Sequence, residues 1–405
     1  MKLGSPGFIG ARLREARQAR GYSATALADI LGVSRSAMSH YERGEQTPRP
    51  DVMRNISRVL DLPPQFFWRL PEPERQRKLF FRSMEATTAA ARLRAERRYV
   101  WLEQLVRYAQ EYVNFPRVNF PQFEIPKDPV QISAELIEEV ATETRRFWKL
   151  GDGAISNVAW LLENNGAVIS RTRLEAATLD AFSEWHEAEG RPYFILGADK
   201  DVAVRSRFDA AHELGHIILH RHIDKTCITR KADFQLIEQQ AHRFAGAFLL
   251  PAQSFSNDFF SPTLDTFQAL KPRWGASMQF MLHRTQELGL ISETQAQRLW
   301  ANCARRGWRL REPLDDEISV EEPRLLRRSF EMLINEEVQT RAEILSALPY
   351  SPRDIEDLAG LPIFFLEEIS IPISLKGFSE ERSSSTPNNE TRGQVVEFRL
   401  NKEHK

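Results

Sequence analysis

The sequence H-E-L-G-H at residues 212–216 constrains the fold of this chain most, because it places two imidazoles four residues apart with a carboxylate between them. Residues four apart lie on the same face of a helix. We therefore predict one amphipathic helix over residues 208–220, from which His212 and His216 both reach a single metal ion. Zinc held in this way polarises a bound water, and Glu213 is positioned to take its proton. That chemistry suits hydrolysis of an amide bond.

A third metal ligand is expected downstream, since catalytic zinc generally has three protein ligands and one water. His222 has the spacing of H-E-x-x-H-x-x-G-x-x-H, in which a glycine turn brings the last histidine back to the metal, but Leu219 stands in the glycine position. Glu238 is the alternative. It begins a segment whose apolar residues recur with helical spacing until Pro251. We favour Glu238, because a helix through Leu219 turns His222 off the metal face.

The segment 204–220 and the Glu238 helix, with its Phe-Leu-Leu-Pro ending, together resemble the ImmA/IrrE family of bacterial and phage metallopeptidases. The resemblance implies a gluzincin-like site that contains zinc (Zn2+). In that site His212, His216 and Glu238 are the ligands. Glu213 is the general base.

Two positions of the second helix depart from the family pattern: Gln240 and His242 stand where the family more often has Glu and Asn. His242 follows Glu238 by one turn. It is therefore a candidate catalytic residue that orients a ligand or donates to the oxyanion of the transition state. A polar residue on the helix surface is the alternative. His220 lies a further turn along the first helix, ~6 Å beyond His216, and is expected to support a ligand or cap the helix.

Composition indicates a multidomain soluble protein, with 405 residues of which 42% are hydrophobic. Cys227 and Cys303 are its two cysteines and form no C-x-x-C pair, which favours a reducing compartment. The sequence has no apolar run of ~18 residues and no charged-then-apolar leader. We expect a cytoplasmic protein with no membrane partner.

The first 60 residues are basic, with ten Lys or Arg against five acidic residues, although the formal net charge of the chain is −1. Such asymmetry indicates a nucleic-acid partner. The turn Gly32-Val33-Ser34 separates two short predicted helices, as a helix-turn-helix requires. The stretch 26–44 and the following Pro48 resemble XRE-type, lambda-repressor-like domains, which implies binding to double-stranded operator DNA.

DNA recognition by such a domain uses the N-terminal part of its third helix in the major groove. The predicted base-facing residues are Arg35, Ser36 and His40. The predicted phosphate contacts are Ser39, Arg43, Thr47 and Arg49. Arg35 can bond a guanine edge through two hydrogen bonds. A homodimer on a palindrome is expected by analogy, because one short helix buries little surface; a helix-turn-helix kept only for protein contacts is the alternative.

The predicted fold class is mainly α with a small β-sheet (α+β). The predicted domains are an XRE-type helix-turn-helix at 8–70, a helical connector at 71–130, an HExxH gluzincin-like peptidase domain at 131–290, a C-terminal helical region at 291–378 and a polar tail at 379–405. Within the connector, residues 86–112 are predicted to form a long helix that buries an apolar stripe against a neighbour. Prolines after this helix begin an extended linker, so we expect the connector to be long enough to move. The predicted strands are 167–171, 181–185 and 192–196, with an edge suited to an extended substrate.

These features together predict a DNA-binding transcriptional regulator that carries a zinc-dependent endopeptidase. The expected protein substrate is a repressor or antitoxin-like protein, or this chain itself within residues 63–129. The alternative is a transcription factor whose zinc-peptidase-like domain is a non-catalytic ligand or stress sensor. The presence of Glu213 favours catalysis, because a purely structural zinc site has no need of it.

Overall fold

A computed structural model describes residues 4–73, 80–81 (backbone only), 88–175, 179–199, 202–224, 227 and 230–367. The first helices are α1 (Gly10–Ala19), α2 (Ala24–Leu31), α3 (Arg35–Glu42), α4 (Pro50–Leu60), α5 (Ala89–Gln110), α6 (Ala134–Phe147), α7 (Val158–Asn164) and α8 (Ala203–Gly215). The later ones are α9 (Lys231–Leu249), α10 (Ala252–Asp258), α11 (Leu264–Trp274), α12 (Met278–Glu287), α13 (Glu293–Arg305), α14 (Leu325–Asn335), α15 (Arg341–Ala347) and α16 (Pro352–Ala359). The strands are β1 (Phe80–Phe81), β2 (Val168–Thr172), β3 (Ala181–His186) and β4 (Arg191–Gly197). The predicted class, mainly α with a small sheet, is confirmed.

Helices α1 to α4 fold as the predicted helix-turn-helix domain. The hydroxyl of Ser23 caps α2 by accepting the backbone N–H of Ala26 at 3.0 Å. Ser34 caps α3 in the same way, at 3.1 Å from the N–H of Ala37. Gly32 ends α2 with φ at 65°, a left-handed conformation that glycine adopts without strain. These local signals fix the turn between α2 and α3.

Helix α5 packs against the helix-turn-helix domain. Trp101 of α5 is fully buried, and its indole N–H donates to the carboxylate of Glu15 on α1 at 2.8 Å. Trp101 shares one hydrophobic core with Leu13 of α1 and Phe182 of β3. The structure therefore contains the expected long helix with an apolar stripe buried against a neighbour, and that neighbour includes the helix-turn-helix domain. Helix α5 carries apolar side chains that are buried in a shared core, because leaving them in water would cost free energy.

The four strands form one sheet in the order β1-β3-β4-β2. Strands β2 and β4 are parallel, whereas β3 pairs antiparallel with β4 and β1 pairs antiparallel with β3. Successive side chains on a strand point to opposite faces. Ile169 and Phe194 accordingly face the core that contains α8, while Val168 and Ile195 face the core that contains α5. The sheet is thus covered on both faces.

The C-terminal helices α14 to α16 pack on the same core as α5. The carboxylate of Glu163 accepts the backbone N–H groups of Arg324 and Leu325, each at 2.9 Å, at the start of α14. Asp354 of α16 forms an ion pair with Arg20, the residue that follows α1, at 2.6 Å. These contacts attach the C-terminal helices both to the sheet domain and to the helix-turn-helix domain.

The strand predictions agree with β2, β3 and β4 to within one residue at each end. Strand β1 was not predicted, because two residues are too few to form a periodic pattern. The predicted tail at 379–405 and the last part of the predicted region 291–378 lie outside the described residues. Within the described part of the chain, no helix has both the length and the hydropathy of a membrane span.

Candidate metal centre and DNA-binding surface

Helix α8 carries His212 and Glu213, and it continues into a wider π-helical turn, His216–His220. The predicted helix is present, but it begins five residues earlier than expected and its last turn is widened. Gly215 permits the close approach of α9, since a Cβ here would lie 3.2 Å from a Cα atom of that helix. The close packing of α8 and α9 brings Glu238 over the two histidines. His212, Glu213 and His216 are all buried.

Three candidate ligand groups meet at one point between α8 and α9. His212 Nε2 lies 3.1 Å from His216 Nε2. The two carboxylate oxygens of Glu238 lie 3.3 Å from His212 Nε2 and 3.2 Å from His216 Nε2. A tetrahedral zinc with bonds of about 2.0–2.1 Å separates neighbouring ligand atoms by about 3.3 Å. The donor set, two imidazoles and a carboxylate, and its spacing therefore both fit zinc. His222 is exposed in the turn after the π-helical segment.

Hydrogen bonds behind His216 determine which of its nitrogens faces this point. The amide nitrogen of Gln240 donates to the carbonyl oxygens of Pro129 (2.6 Å) and Ile132 (3.0 Å). The side-chain oxygen of Gln240 therefore faces His220 Nε2 at 3.1 Å. Because an amide oxygen accepts, His220 Nε2 must be the donor of this hydrogen bond. His220 then accepts at Nδ1, which lies 3.0 Å from His216 Nδ1. His216 consequently carries its proton on Nδ1 and presents the Nε2 lone pair to the metal position.

His220 and Gln240 thus hold the His216 ring in one orientation. Support of a ligand is one of the two roles expected for His220. Burial lowers the pKa of His220 well below its usual value, and the adjacent His216 acts in the same direction. The ring is therefore neutral, as its accepting Nδ1 requires. A glutamate at position 240 would have no N–H to offer the two carbonyl groups. The amide of Gln240 is thus matched to its surroundings, although the family more often has Glu there.

Ser183 on β3 holds the carboxylate of Glu213. Its hydroxyl donates to Glu213 Oε2 at 2.6 Å, and both side chains are buried. Ser183 is not among the site residues predicted from the sequence. Its only signal was a small polar residue inside a predicted apolar strand, which does not reveal a partner 30 residues away.

The candidate metal centre opens into a cleft of about 630 Å³ whose lining includes His212, Glu238, His242 and His283. His242 is half-buried, with its ring 4.9 Å from that of Phe208 and 4.6 Å from that of His283. A plain position on the helix surface, the alternative considered for His242, does not describe this environment. His283 showed no metal-like spacing in the sequence, and only the packing of α12 on α9 brings it to His242.

The predicted DNA contacts lie along α3 and the loop that follows it. The exposed members are Arg35, Ser36, Ser39, Arg43, Thr47 and Arg49, and the half-buried member is His40. All seven are therefore at the surface, as DNA binding requires.

Three of these side chains already contact acidic neighbours. Glu45 lies 2.5 Å from His40 Nδ1 and accepts from Arg43 at 2.9 Å. The hydrogen bond with His40 lowers the pKa of Glu45; desolvation opposes this effect, and the charge of Arg43 adds to the lowering. Arg49 pairs with Asp51 at 3.2 Å. Among the described residues, no ion pair engages Arg35, so this guanidinium is the most available for a base edge.

Comparison with known families agrees with both parts of this description. Residues 162–286 match the family model of the IrrE N-terminal-like domain, and residues 9–65 match a helix-turn-helix domain. The chain joins these two domains. Both resemblances inferred from the sequence are thereby confirmed. The IrrE N-terminal-like domain, as matched, contains the sheet strands β2 to β4, the α8 histidines and Glu238.

Relatives of the helix-turn-helix domain include HTH-type transcriptional regulatory proteins from two archaea. The protein from Pyrococcus furiosus is 46% identical over 54 residues, which cover 13% of this chain and 17% of the relative. The protein from Thermococcus kodakarensis is 46% identical over 52 residues, which cover 13% of this chain and 16% of the relative. The similarity thus spans about a sixth of each relative.

Proposed function

We propose that the protein is a transcriptional regulator whose IrrE N-terminal-like domain is a zinc-dependent endopeptidase. The observation that carries the proposal is the meeting of His212, His216 and Glu238 at tetrahedral spacing, next to the buried carboxylate of Glu213. Zinc, when bound there, polarises a water molecule and the scissile carbonyl group. A structural site would need the ligands but not Glu213.

Glu213 is the general base in this proposal. It accepts the proton of the attacking water and passes it to the departing amine nitrogen. Ser183 fixes one oxygen of the carboxylate by a hydrogen bond and so orients the base. Both side chains are buried, which strengthens the electrostatic interaction between them.

An extended peptide is proposed to bind along the edge of β3. Strand β1 pairs there, with Phe80 opposite Ser183 and Phe81 opposite Phe182. A peptide that adds to this edge gains main-chain hydrogen bonds beside the residue that holds the general base. The occupation of this edge by residues of the same chain supports self-cleavage, within the range 63–129, as the first candidate reaction. A separate repressor or antitoxin-like protein is the second candidate.

Operator DNA is the proposed partner of the helix-turn-helix domain, which binds it as a homodimer through α3. The partly buried ion pair between Arg20 and Asp354 and the hydrogen bond between Trp101 and Glu15 connect this domain to the rest of the chain. After cleavage between the two parts, non-covalent contacts such as these would hold the DNA-binding domain, and it could then dissociate. That gives proteolysis a direct route to derepression.

The decisive experiment compares wild-type protein with Glu213→Gln in the native host. The variant keeps all three zinc ligands but loses the base, so it should retain zinc, fold and DNA binding while cleavage stops. Its target gene should then stay repressed under stress. Normal derepression by Glu213→Gln would exclude proteolysis from the switch and would favour a non-catalytic sensor.

A further inference from the structure

A second cluster of metal-binding groups lies in the same cleft, outside the proposed catalytic centre. His283 and Glu287 lie one turn apart on the same face of α12, with His283 Nδ1 3.4 Å from Glu287 Oε1. His242 approaches from α9, with its ring centre 4.6 Å from that of His283. One potential ligand atom from each of the three side chains lies within 4.8 Å of the others.

The carboxylate of Glu287 is oriented by a separate residue. Arg284 is fully buried and binds Glu287 Oε2 at 3.2 Å. The other oxygen, Oε1, is the one that faces His283. A carboxylate held by an outer hydrogen bond in this way is typical of ligands that have been arranged before the metal arrives.

We propose that His242, His283 and Glu287 form a second divalent-cation site, with zinc as its preferred ion. Two imidazole nitrogens and one carboxylate oxygen are zinc ligands, whereas magnesium and calcium prefer oxygen alone. The separation of 3.4 Å between His283 and Glu287 is close to the edge of about 3.3 Å in a tetrahedral zinc site. A small rotation of the half-buried His242 ring completes the set. His242 is thus a ligand of this site instead of an oxyanion donor.

The position of this site gives it a regulatory consequence, which rests on the proposed peptidase function. His242 follows Glu238 by one turn of α9, so these two residues, one from each centre, lie about 6 Å apart along the helix axis. Both border the cleft of about 630 Å³. An ion with its water at the second site narrows the passage to the first. The second site binds more weakly, because the His283 side chain is 46% exposed and loses freedom when it is fixed. Zinc in excess of one equivalent is therefore an inhibitor.

The test is a titration of the metal-free full-length protein with Zn2+ against a chromophoric chelator. Wild type should bind two equivalents, one tight and one weak. His283→Ala and His242→Asn should weaken the second equivalent by at least about tenfold and leave the first unchanged. His222→Ala, which removes an exposed histidine outside the cluster, should bind two. Binding of one equivalent by wild type, or an unchanged weak equivalent in His283→Ala, would overturn the proposal.

The failure of this site and the failure of the catalytic site are distinguishable in the same titration. His216→Ala should lose the tight equivalent and keep the weak one. Loss of neither equivalent in His216→Ala would count against the catalytic centre alone. Peptidase activity provides the second readout, since excess zinc should inhibit wild type but should inhibit His283→Ala at least about tenfold less strongly.

Discussion

The Ser183 hydroxyl lies 2.6 Å from Glu213 Oε2. This hydrogen bond joins β3, at the edge that pairs with β1, to the carboxylate of the metal-binding helix. Both side chains are buried. This contact links the edge on which β1 lies to the group proposed to move the proton.

Replacing Ser183 with alanine should lower kcat while KM and zinc content stay close to those of wild type. A hydrogen bond to a charged group contributes about 1.5–3 kcal/mol, which corresponds to roughly a 10- to 100-fold loss in rate if it orients the base in the transition state. Steady-state kinetics on a peptide substrate would measure this loss in kcat and the accompanying KM. Ser170→Ala is the matched control, because Ser170 is also a buried strand serine but bonds the carbonyl of Leu358. Equal losses in both variants would argue for a merely structural effect.

The identity of the third ligand can be tested by metal analysis. Glu238→Ala and His216→Ala should lose most of the tightly bound zinc, since each removes one of three protein ligands. His222→Ala should retain it. Elemental analysis after desalting measures the zinc that each variant retains, and it distinguishes Glu238 from His222 as the third ligand. If His222→Ala loses the zinc and Glu238→Ala keeps it, the third ligand is His222.

The pairing of β1 on β3 predicts an effect of proline at position 80. Phe80→Pro removes a backbone N–H and fixes φ, both of which disfavour strand pairing. Self-cleavage of the zinc-loaded protein, followed by intact mass, should fall at least about tenfold relative to Phe80→Ala, which keeps its N–H. If a separate protein is the substrate, Phe80→Pro should instead accelerate cleavage of an added peptide. Unchanged rates of both reactions would argue against the edge of β3 as the peptide-binding site.

Base reading by Arg35 predicts a sequence-specific loss. Arg35→Ala should cost about 1–3 kcal/mol at one operator position and leave the salt dependence nearly unchanged. Arg49→Ala should weaken binding to all sequences alike and flatten the salt slope. Fluorescence anisotropy on operator variants at several salt concentrations separates the two. Identical effects of both variants on every sequence would exclude base reading by Arg35.

The buried carboxyl of Glu163 predicts a pH dependence of stability. Burial raises the pKa of Glu163 from 4.5 to about 7, against the opposing hydrogen bonds from the backbone of Leu325 and Arg324. Because the folded-state pKa exceeds the unfolded one, its stabilising contribution is complete below pH 4.5 and is lost as the pH rises through 7. The loss amounts to at most about 3 kcal/mol.

The variant Glu163→Gln should remove this pH dependence. The difference in the free energy of unfolding between wild type and variant, measured with urea at pH 5 and pH 8, should shift in favour of the variant at the higher pH. The glutamine oxygen can still accept from Leu325, whereas its amide N–H2 group would face the backbone N–H of Arg324 that Glu163 Oε2 accepts. The loss of that hydrogen bond does not depend on pH, so it cancels between the two pH values. A difference that does not change with pH would show that Glu163 ionises normally in the folded protein.

Local patterns in the sequence determined the elements and the first part of the site. Helical spacing of four residues placed His212 and His216 on one face, and serine and glycine caps fixed the turn between α2 and α3. Alternation of side chains located three strands to within one residue. These predictions depend on interactions between near neighbours in the chain, which a sequence displays directly.

Tertiary packing alone decided the contacts between distant residues. The pairing of Phe80 with Ser183, the bond from Ser183 to Glu213 and the meeting of His242 with His283 join segments whose separation in sequence has no periodic signal. Helix α5 was predicted to bury an apolar stripe against a neighbour, but only the structure shows that this neighbour includes the DNA-binding domain. Such contacts follow from how two cores cover both faces of one sheet. That arrangement depends on the shapes of all the surfaces together and on no single segment.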